Sequence, residues 1–425
     1  MEFPRTLRVR QNFPSHAIAD IPAAVRAQLA ASRFASRVPP GGSVAIGAGS
    51  RGIANIAAIV RSAVDYWKAE GRKPFVFPAM GSHGAATAEG QADVLAHYGV
   101  TEAEMGCPIR SQLEVVNAGT TREGIETWID RLAYESDGIM LVGRVKWHTH
   151  YAGRIESGLF KMMAIGLGKF AGANHYHTHS YRMGLENVIV SVGRQILKSG
   201  KIIGGLAILE DASHDTGHIE AIPADRVEAR EPELLKQVKS WMAHIPVSAV
   251  DILVLDEIGK NISGTGMDTK VVNRNDVAGY NPWPDTPIIE RIVVRELTGL
   301  SYGNGIGVGL ADAATDRLID SIDWPATQVN CLTAANLPPL RVPLHYPTDR
   351  ECLEKLARTV GKFDMADVTY CRIRNTMKLG RAILSENLRP EIEKNPLLEI
   401  VGDAMEMEFD QNGNLTDLLN PSLEW

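Results

Sequence analysis

Short apolar runs alternate with segments of helical spacing along most of this chain. Residues 43–47 read as a buried strand. Ile53, Ile56, Ile59, Val60 and Val64 then recur on one helical face, which predicts a helix over 53–70. The pattern repeats: strands at 75–77, 113–117 and 138–142, with a helix at 88–98 between the first two. A helix over 183–198, a strand over 202–209 and a charged helix near 225–243 follow. Residues 251–256 open a new block with an apolar strand. Beyond it come a β-rich run at 291–297, the glycine-rich stretch 303–307 and helices near 312–321 and 350–361. Strands that alternate with helices predict an α/β fold with a largely parallel sheet. The break near Ile245-Pro246 predicts two domains, 1–244 and 245–425.

Composition narrows the class. Over 425 residues, 44% hydrophobic and 22% charged describe an ordinary globular chain, and a net charge of -7 argues against nucleic-acid or membrane-surface partners. The four cysteines are scattered with no paired motif, as expected of reduced thiols. The N-terminus has no apolar run of signal-peptide type, and no stretch reaches the roughly 18 apolar residues of a membrane span, so a cytoplasmic location is expected.

The chemistry concentrates in one stretch. Five of the 12 histidines fall between 148 and 179, around Lys161: Lys146-Trp147-His148-Thr149-His150 precedes it and His175-Tyr176-His177-Thr178-His179 follows. An amine flanked by imidazoles can tether a cofactor and move protons beside it. The H-x-H pairs would also suit zinc if the segments were extended. His83 sits between glycines just past the 75–77 strand, where α/β sheets place ligand-binding loops, and is an acid/base candidate. Gly47-Ala48-Gly49-Ser50-Arg51-Gly52 fits G-x-G-x-x-G after a strand and before a helix, a pattern that suits a phosphate or another anion. The next strand ends in Phe77-Pro78-Ala79 without the acidic residue a nicotinamide ribose requires. The residues alone leave open a cofactor-tethering enzyme, a zinc hydrolase and a non-catalytic binder of a small anion.

These motifs resemble the nickel-pincer lactate racemase family. The resemblance is clearest over Gly81-Ser82-His83, Asn117-Ala118-Gly119-Thr120-Thr121-Arg122-Glu123-Gly124, Val145-Lys146-Trp147-His148 and the interval from Lys161 to His177. It is looser in the second half, around 251–268 and Gly305-Ile306-Gly307-Val308-Gly309. It implies two α/β domains with a catalytic cleft between them. It also implies a nickel-pincer nucleotide, a pyridinium-3,5-bisthiocarboxylic acid mononucleotide holding nickel, and a small 2-hydroxy acid racemised or epimerised by hydride transfer. On that resemblance Lys161 is the attachment lysine, and His177 rather than His175 is the metal ligand. His83 and His148 are the acid/base pair, with His150 as the alternative to His148. Ser50 and Arg51 contact the cofactor phosphate or the substrate. Lys146, Arg51 or Arg154 clamps the substrate carboxylate, and Lys260 and Asp268 contribute from the second half. Trp147 stands where the family has proline, Gly47-Ala48-Gly49 replaces an acidic loop start, and the span from His148 to Lys161 is longer. The altered span argues for a hydroxy acid other than lactate.

Overall fold

A computed structural model describes residues 2–49, 52–276, 278–333, 336–423 and 425. The chain forms two compact α/β units, Pro14–Met242 and Met1–Phe13 joined with Ala243–Trp425. Among the described residues no helix is long and apolar enough to cross a membrane.

In the first unit, among the described residues, one sheet runs Lys73–Pro78, Ser43–Ala48, Gly138–Arg144, Ile202–Glu210, Thr216–Pro223. The first four strands are parallel and the last is antiparallel. Alternate side chains feed opposite faces, as the pleat requires. Val44, Ile46, Met140 and Val142 pack with the helices Ile21–Ser32 and Ile56–Ala69. Ala45, Ile139 and Leu141 pack with Leu159, Phe160, Val188 and Leu234 on the other face. Each such fully buried aliphatic side chain contributes about 1.5–3 kcal/mol, so both faces hold the sheet between two layers. The helix Ile56–Ala69 forms where its spacing predicts, burying Ile56, Ile59, Val60, Ala63, Val64 and Trp67 along one stripe.

From Ser43–Ala48 the chain steps to one side to make Lys73–Pro78, and later returns on the other side as Gly138–Arg144. The carboxyl ends of Ser43–Ala48 and Gly138–Arg144 therefore flank a topological switch point, the usual ligand crevice of an open α/β sheet.

In the second unit, among the described residues, eight strands run Leu344–Tyr346, Ala313–Thr315, Ile288–Leu297, Ala249–Ile258, Tyr370–Asn375, Lys378–Ser385, Thr6–Gln11, Leu398–Ile400. The first five are parallel and the rest antiparallel. Thr6–Gln11 pairs with Lys378–Ser385 and Leu398–Ile400. The chain's beginning thus belongs to the C-terminal unit, which corrects the assignment of residues 1–13 to the first domain. Its reason is the alternation Thr6-Leu7-Arg8-Val9-Arg10: Leu7 and Val9 are fully buried and need a sheet edge to cover them.

Candidate active site

The loops that leave the first unit's parallel strands carry the candidate residues. After Lys73–Pro78 the chain runs through Gly81 to His83, which opens a tight turn, Gly84–Ala86. Ala85 and Ala86 both hold positive φ, 54° and 58°, an uncommon conformation for residues with a Cβ and one that clusters at functional loops. A buried network fixes the base of this loop. Gln91 Nε2 donates to the Met80 and Gly81 carbonyls at 3.3 and 2.9 Å. Lys169 Nζ donates to Gln91 Oε1 at 2.5 Å and to the Pro78 carbonyl at 2.8 Å. Lys169 is fully buried, and burial pulls its pKa down to about 8 against the raising effect of Asp130, 3.9 Å away.

After Gly138–Arg144, residues 147–156 form an excursion closed by paired main-chain bonds between Lys146 and Ser157, at 2.9 and 3.0 Å. Glu156, almost wholly buried, organises its interior. It accepts the His148 amide at 2.5 Å, the Gly153 amide at 3.1 Å and Lys239 Nζ at 2.6 Å. Glu186 accepts the Arg154 and Ile155 amides at 2.7 and 3.1 Å. His148 is buried and stacks on Tyr151 with ring centroids 4.5 Å apart. Its Nδ1 accepts the His150 amide at 3.1 Å, so the neutral ring carries its proton on Nε2. Tyr151 is held protonated: burial first, then Glu156, Glu186 and Glu231 push its pKa far up.

Lys161 ends the short helix Leu159–Lys161 and leads into a single π-turn, Met162–Gly166. Two glycines let this turn settle onto its neighbours. An added Cβ at Gly143 would lie 2.1 Å from Met162 Sδ, and one at Gly193 would lie 2.6 Å from the Phe160 ring. The turn thereby lies over the end of Gly138–Arg144. A Cβ at Gly81 would meet Ile165 and Ala173, both at 3.0 Å, so the His83 loop abuts the same turn and the helix beyond it.

That helix, Lys169–Met183, carries three histidines. The segment is not the extended one an H-x-H zinc pair would need: at helical spacing His175 and His179 share a face and His177 points elsewhere. His175 and His179 face each other at 4.8 Å, with Trp128 4.9 Å from His175. His177 keeps an exposed surface, yet its pKa is depressed, first by burial, then by Lys161, then by His150. Ala173, against the His83 loop, lies one helical turn before it.

The first unit thus holds His83, Lys146, His148, Lys161 and His177, whereas Lys260 and Asp268 lie in the second unit. There Lys260 Nζ donates to the Gly264 carbonyl at 3.0 Å and to Asn330 at 2.9 Å, and buried Asp268 accepts the Lys270 amide at 3.0 Å. Ser50 and Arg51 lie outside the described residues. Glu156, Glu186, Glu231 and Lys169 escaped the sequence reading. A carboxylate whose donors are main-chain amides leaves no pattern of its own, although Glu156 stands inside the motif-bearing stretch. Among the described residues no group of three or more His, Cys, Asp or Glu side chains is arranged to hold a metal ion.

No protein-family model and no curated protein sequence matches the chain. Among solved structures it is similar to the lactate racemase apoprotein from Thermoanaerobacterium thermosaccharolyticum, with 13% identity, a TM-score of 0.49, and coverage of 88% of this chain and 99% of that one. It is also similar to a structural-genomics target from Thermotoga maritima, with 10% identity, a TM-score of 0.51, and coverage of 87% and 99%. The second likeness is one of fold.

Proposed function

We propose that this chain is a racemase or epimerase of a 2-hydroxy acid that works with a nickel-pincer nucleotide tethered to Lys161. The observation that carries the reading is the seating of the Lys161 turn over the end of Gly138–Arg144, with the His83 loop and the helix that bears His177 packed against it. The amine and the candidate imidazoles therefore sit on neighbouring segments of one unit.

The residues fit the cofactor. With its pKa below the ordinary 6.5, His177 is neutral at pH 7, the form in which an imidazole nitrogen can ligate a metal. If such a nucleotide is bound, Lys161 would tether it and His177 would supply a protein nitrogen to its metal. When bound, the cofactor supplies a hydride acceptor, which spares the α-carbon a carbanion beside a carboxylate.

The protein's own residues manage the hydroxyl proton and the orientation of the substrate. His83, on a loop braced by Gln91 and Lys169, takes or returns that proton on one face. His148 serves the other face. As found, it presents Nε2–H, a donor to the substrate oxygen. To act as a base it must release the His150 amide, a cost of about 1 kcal/mol. Lys146 and Arg154 are the nearest candidates in sequence for the substrate carboxylate, and an arginine fork is the better geometric match.

The test is intact-mass and metal analysis of protein made in cells that synthesise the cofactor, followed by α-deuterium tracking over a panel of hydroxy acids. The expected result is an adduct that disappears in Lys161→Ala, stoichiometric nickel, and racemisation with the label retained in the pool. An unmodified Lys161 without nickel overturns the reading. Anion binding without racemisation would identify a non-catalytic binder, and stoichiometric zinc a hydrolase.

A further inference from the structure

Glu231 lies on the helix Val227–Trp241, directly behind the Lys161 turn, and is 1% exposed. Its Oε2 accepts the Phe160 amide at 3.1 Å. Its Oε1 is buried and, among the described residues, has no hydrogen-bond partner. A Cβ at Gly158 would lie 2.6 Å from the carboxylate carbon, so only glycine there lets the group approach the chain this closely. Burial lifts the pKa to about 7, while main-chain hydrogen bonding pulls it back.

A buried carboxylate with one idle oxygen is costly, and an apolar side chain of similar volume would remove that cost. What the apolar side chain could not supply is an acceptor for the Phe160 amide, just before the turn. Phe160 and Met162 are seated sideways on Gly193 and Gly143. Those contacts seat the turn, and the Phe160 amide bond ties its start to Glu231.

We propose that Glu231 is the positioning residue for Lys161, aiming the amine by holding the main-chain amide of Phe160, the residue before it. Its importance to function rests on the reading of Lys161 as the tethering amine, although its effect on that amine does not.

The experiment labels the unloaded full-length protein with an amine-directed acylating reagent. It follows Lys161 against exposed Lys378 of the other unit by peptide mass spectrometry. In Glu231→Leu the ratio of Lys161 to Lys378 labelling should rise about fivefold, the equivalent of one lost hydrogen bond. Glu231→Gln, which keeps one acceptor oxygen, should fall between Leu and wild type. A side chain that only fills space would leave the ratio unmoved in both folded variants, so an unchanged or lower ratio overturns the proposal. Hydrogen exchange on the wild type guards against variants that fail to fold: the Phe160 amide should exchange slowly, and exchange at the rate of an open loop also overturns it. Failure of the functional reading appears separately, as an unmodified Lys161 in protein from cofactor-making cells while the labelling ratio still shifts.

Discussion

Both units bury charge, and they do so in opposite ways. In the C-terminal unit Asp256, Arg295, Asp349 and Arg372 form a saturated network. Arg295 reaches Asp256 at 2.6 Å and Asp349 at 2.7 Å, Arg372 holds both Asp256 oxygens at 2.7 and 3.1 Å, and Arg317 completes Asp349 at 2.6 Å. The remaining guanidinium nitrogens donate to the Leu415 and Thr416 carbonyls. In the N-terminal unit Glu231 holds the Phe160 amide and, among the described residues, has no cation at bonding distance, and Lys169 and Asp130 stand 3.9 Å apart. Their pKa values move toward the neutral forms: Glu231 up to about 7, Lys169 down to about 8, and Asp130 up, all chiefly through burial. Desolvating an ion costs several kcal/mol, and only close partners return it. The first network is a scaffold that keeps its charges. The second is a set of groups poised to change protonation beneath the candidate site, the condition expected where a site does acid/base work.

The largest effect should come from breaking the saturated network. Asp256→Ala strands two buried guanidinium groups and should cost about 3–5 kcal/mol, read as a lower urea midpoint for the C-terminal unit. A loss below about 1 kcal/mol would erase the contrast between the units.

Next in size is the pH dependence of the N-terminal unit. Glu231 has a folded pKa of about 7 against an ordinary 4.5. Between those values the folded state keeps a proton that the unfolded state gives up. Its contribution is therefore most favourable below 4.5 and is lost as pH rises through 7. Lys169 has a folded pKa of about 8 against 10.5, so the unfolded state holds the extra proton between them. Its contribution is most favourable above 10.5 and is lost as pH falls through 8. Each shift is worth roughly 3 kcal/mol between its limits. These two groups together place a stability minimum between pH 7 and 8, where most domains are near their best. Denaturant midpoints from pH 5 to 10 should show it, with the acid limb absent in Glu231→Gln and the alkaline limb absent in Lys169→Met. Parallel profiles in all three proteins would show that these groups are not poised.

Much of this was legible in the sequence, and the limits have physical causes. Helical spacing located Ile56–Ala69 and Leu185–Leu197, and apolar runs located Ser43–Ala48, Gly138–Arg144 and Ala249–Ile258. The crowding of histidines around Lys161 pointed to the stretch the fold gathers over one strand end. The helix Lys169–Met183 was missed because its buried positions are Lys169, Gly172, Ala173 and Tyr176, which make no apolar stripe. The place of Thr6–Gln11 in the second sheet was missed because its partner strand lies more than 360 residues away, as Leu7 opposite Leu384 illustrates. Glu231 and Lys169 stayed invisible because their partners are main-chain atoms or distant side chains, which no local spacing encodes.

A smaller effect tests whether the seating of the Lys161 turn is specific. Gly143→Ala drives a methyl into Met162 and should cost about 1–3 kcal/mol by overpacking, with faster labelling of Lys161. Gly380→Ala, in the C-terminal strand Lys378–Ser385, meets open space and should be neutral or stabilising by about 0.5 kcal/mol. Equal effects at the two positions, measured by thermal unfolding, would mean that the glycine at 143 does not seat the turn.

The smallest effect probes a case that lies between the two kinds of buried charge. Glu156 is buried and has a cation, Lys239 at 2.6 Å, but the lysine side chain is about one-third exposed. Glu156 also accepts the His148 and Gly153 amides, so removing the lysine does not leave it bare. Water reaches the ammonium, and the ion pair is screened as surface pairs are. Lys239→Ala should therefore cost about 1 kcal/mol in dilute buffer, and the loss should shrink in 1 M salt, where the Debye length is about 3 Å. His148 should stay anchored, since its bond runs to the carboxylate and not to the lysine. A salt-independent loss of about 3 kcal/mol or more would place Glu156 with Asp256 among the saturated groups, and the 147–156 loop would then be scaffold rather than part of the responsive region around Lys161.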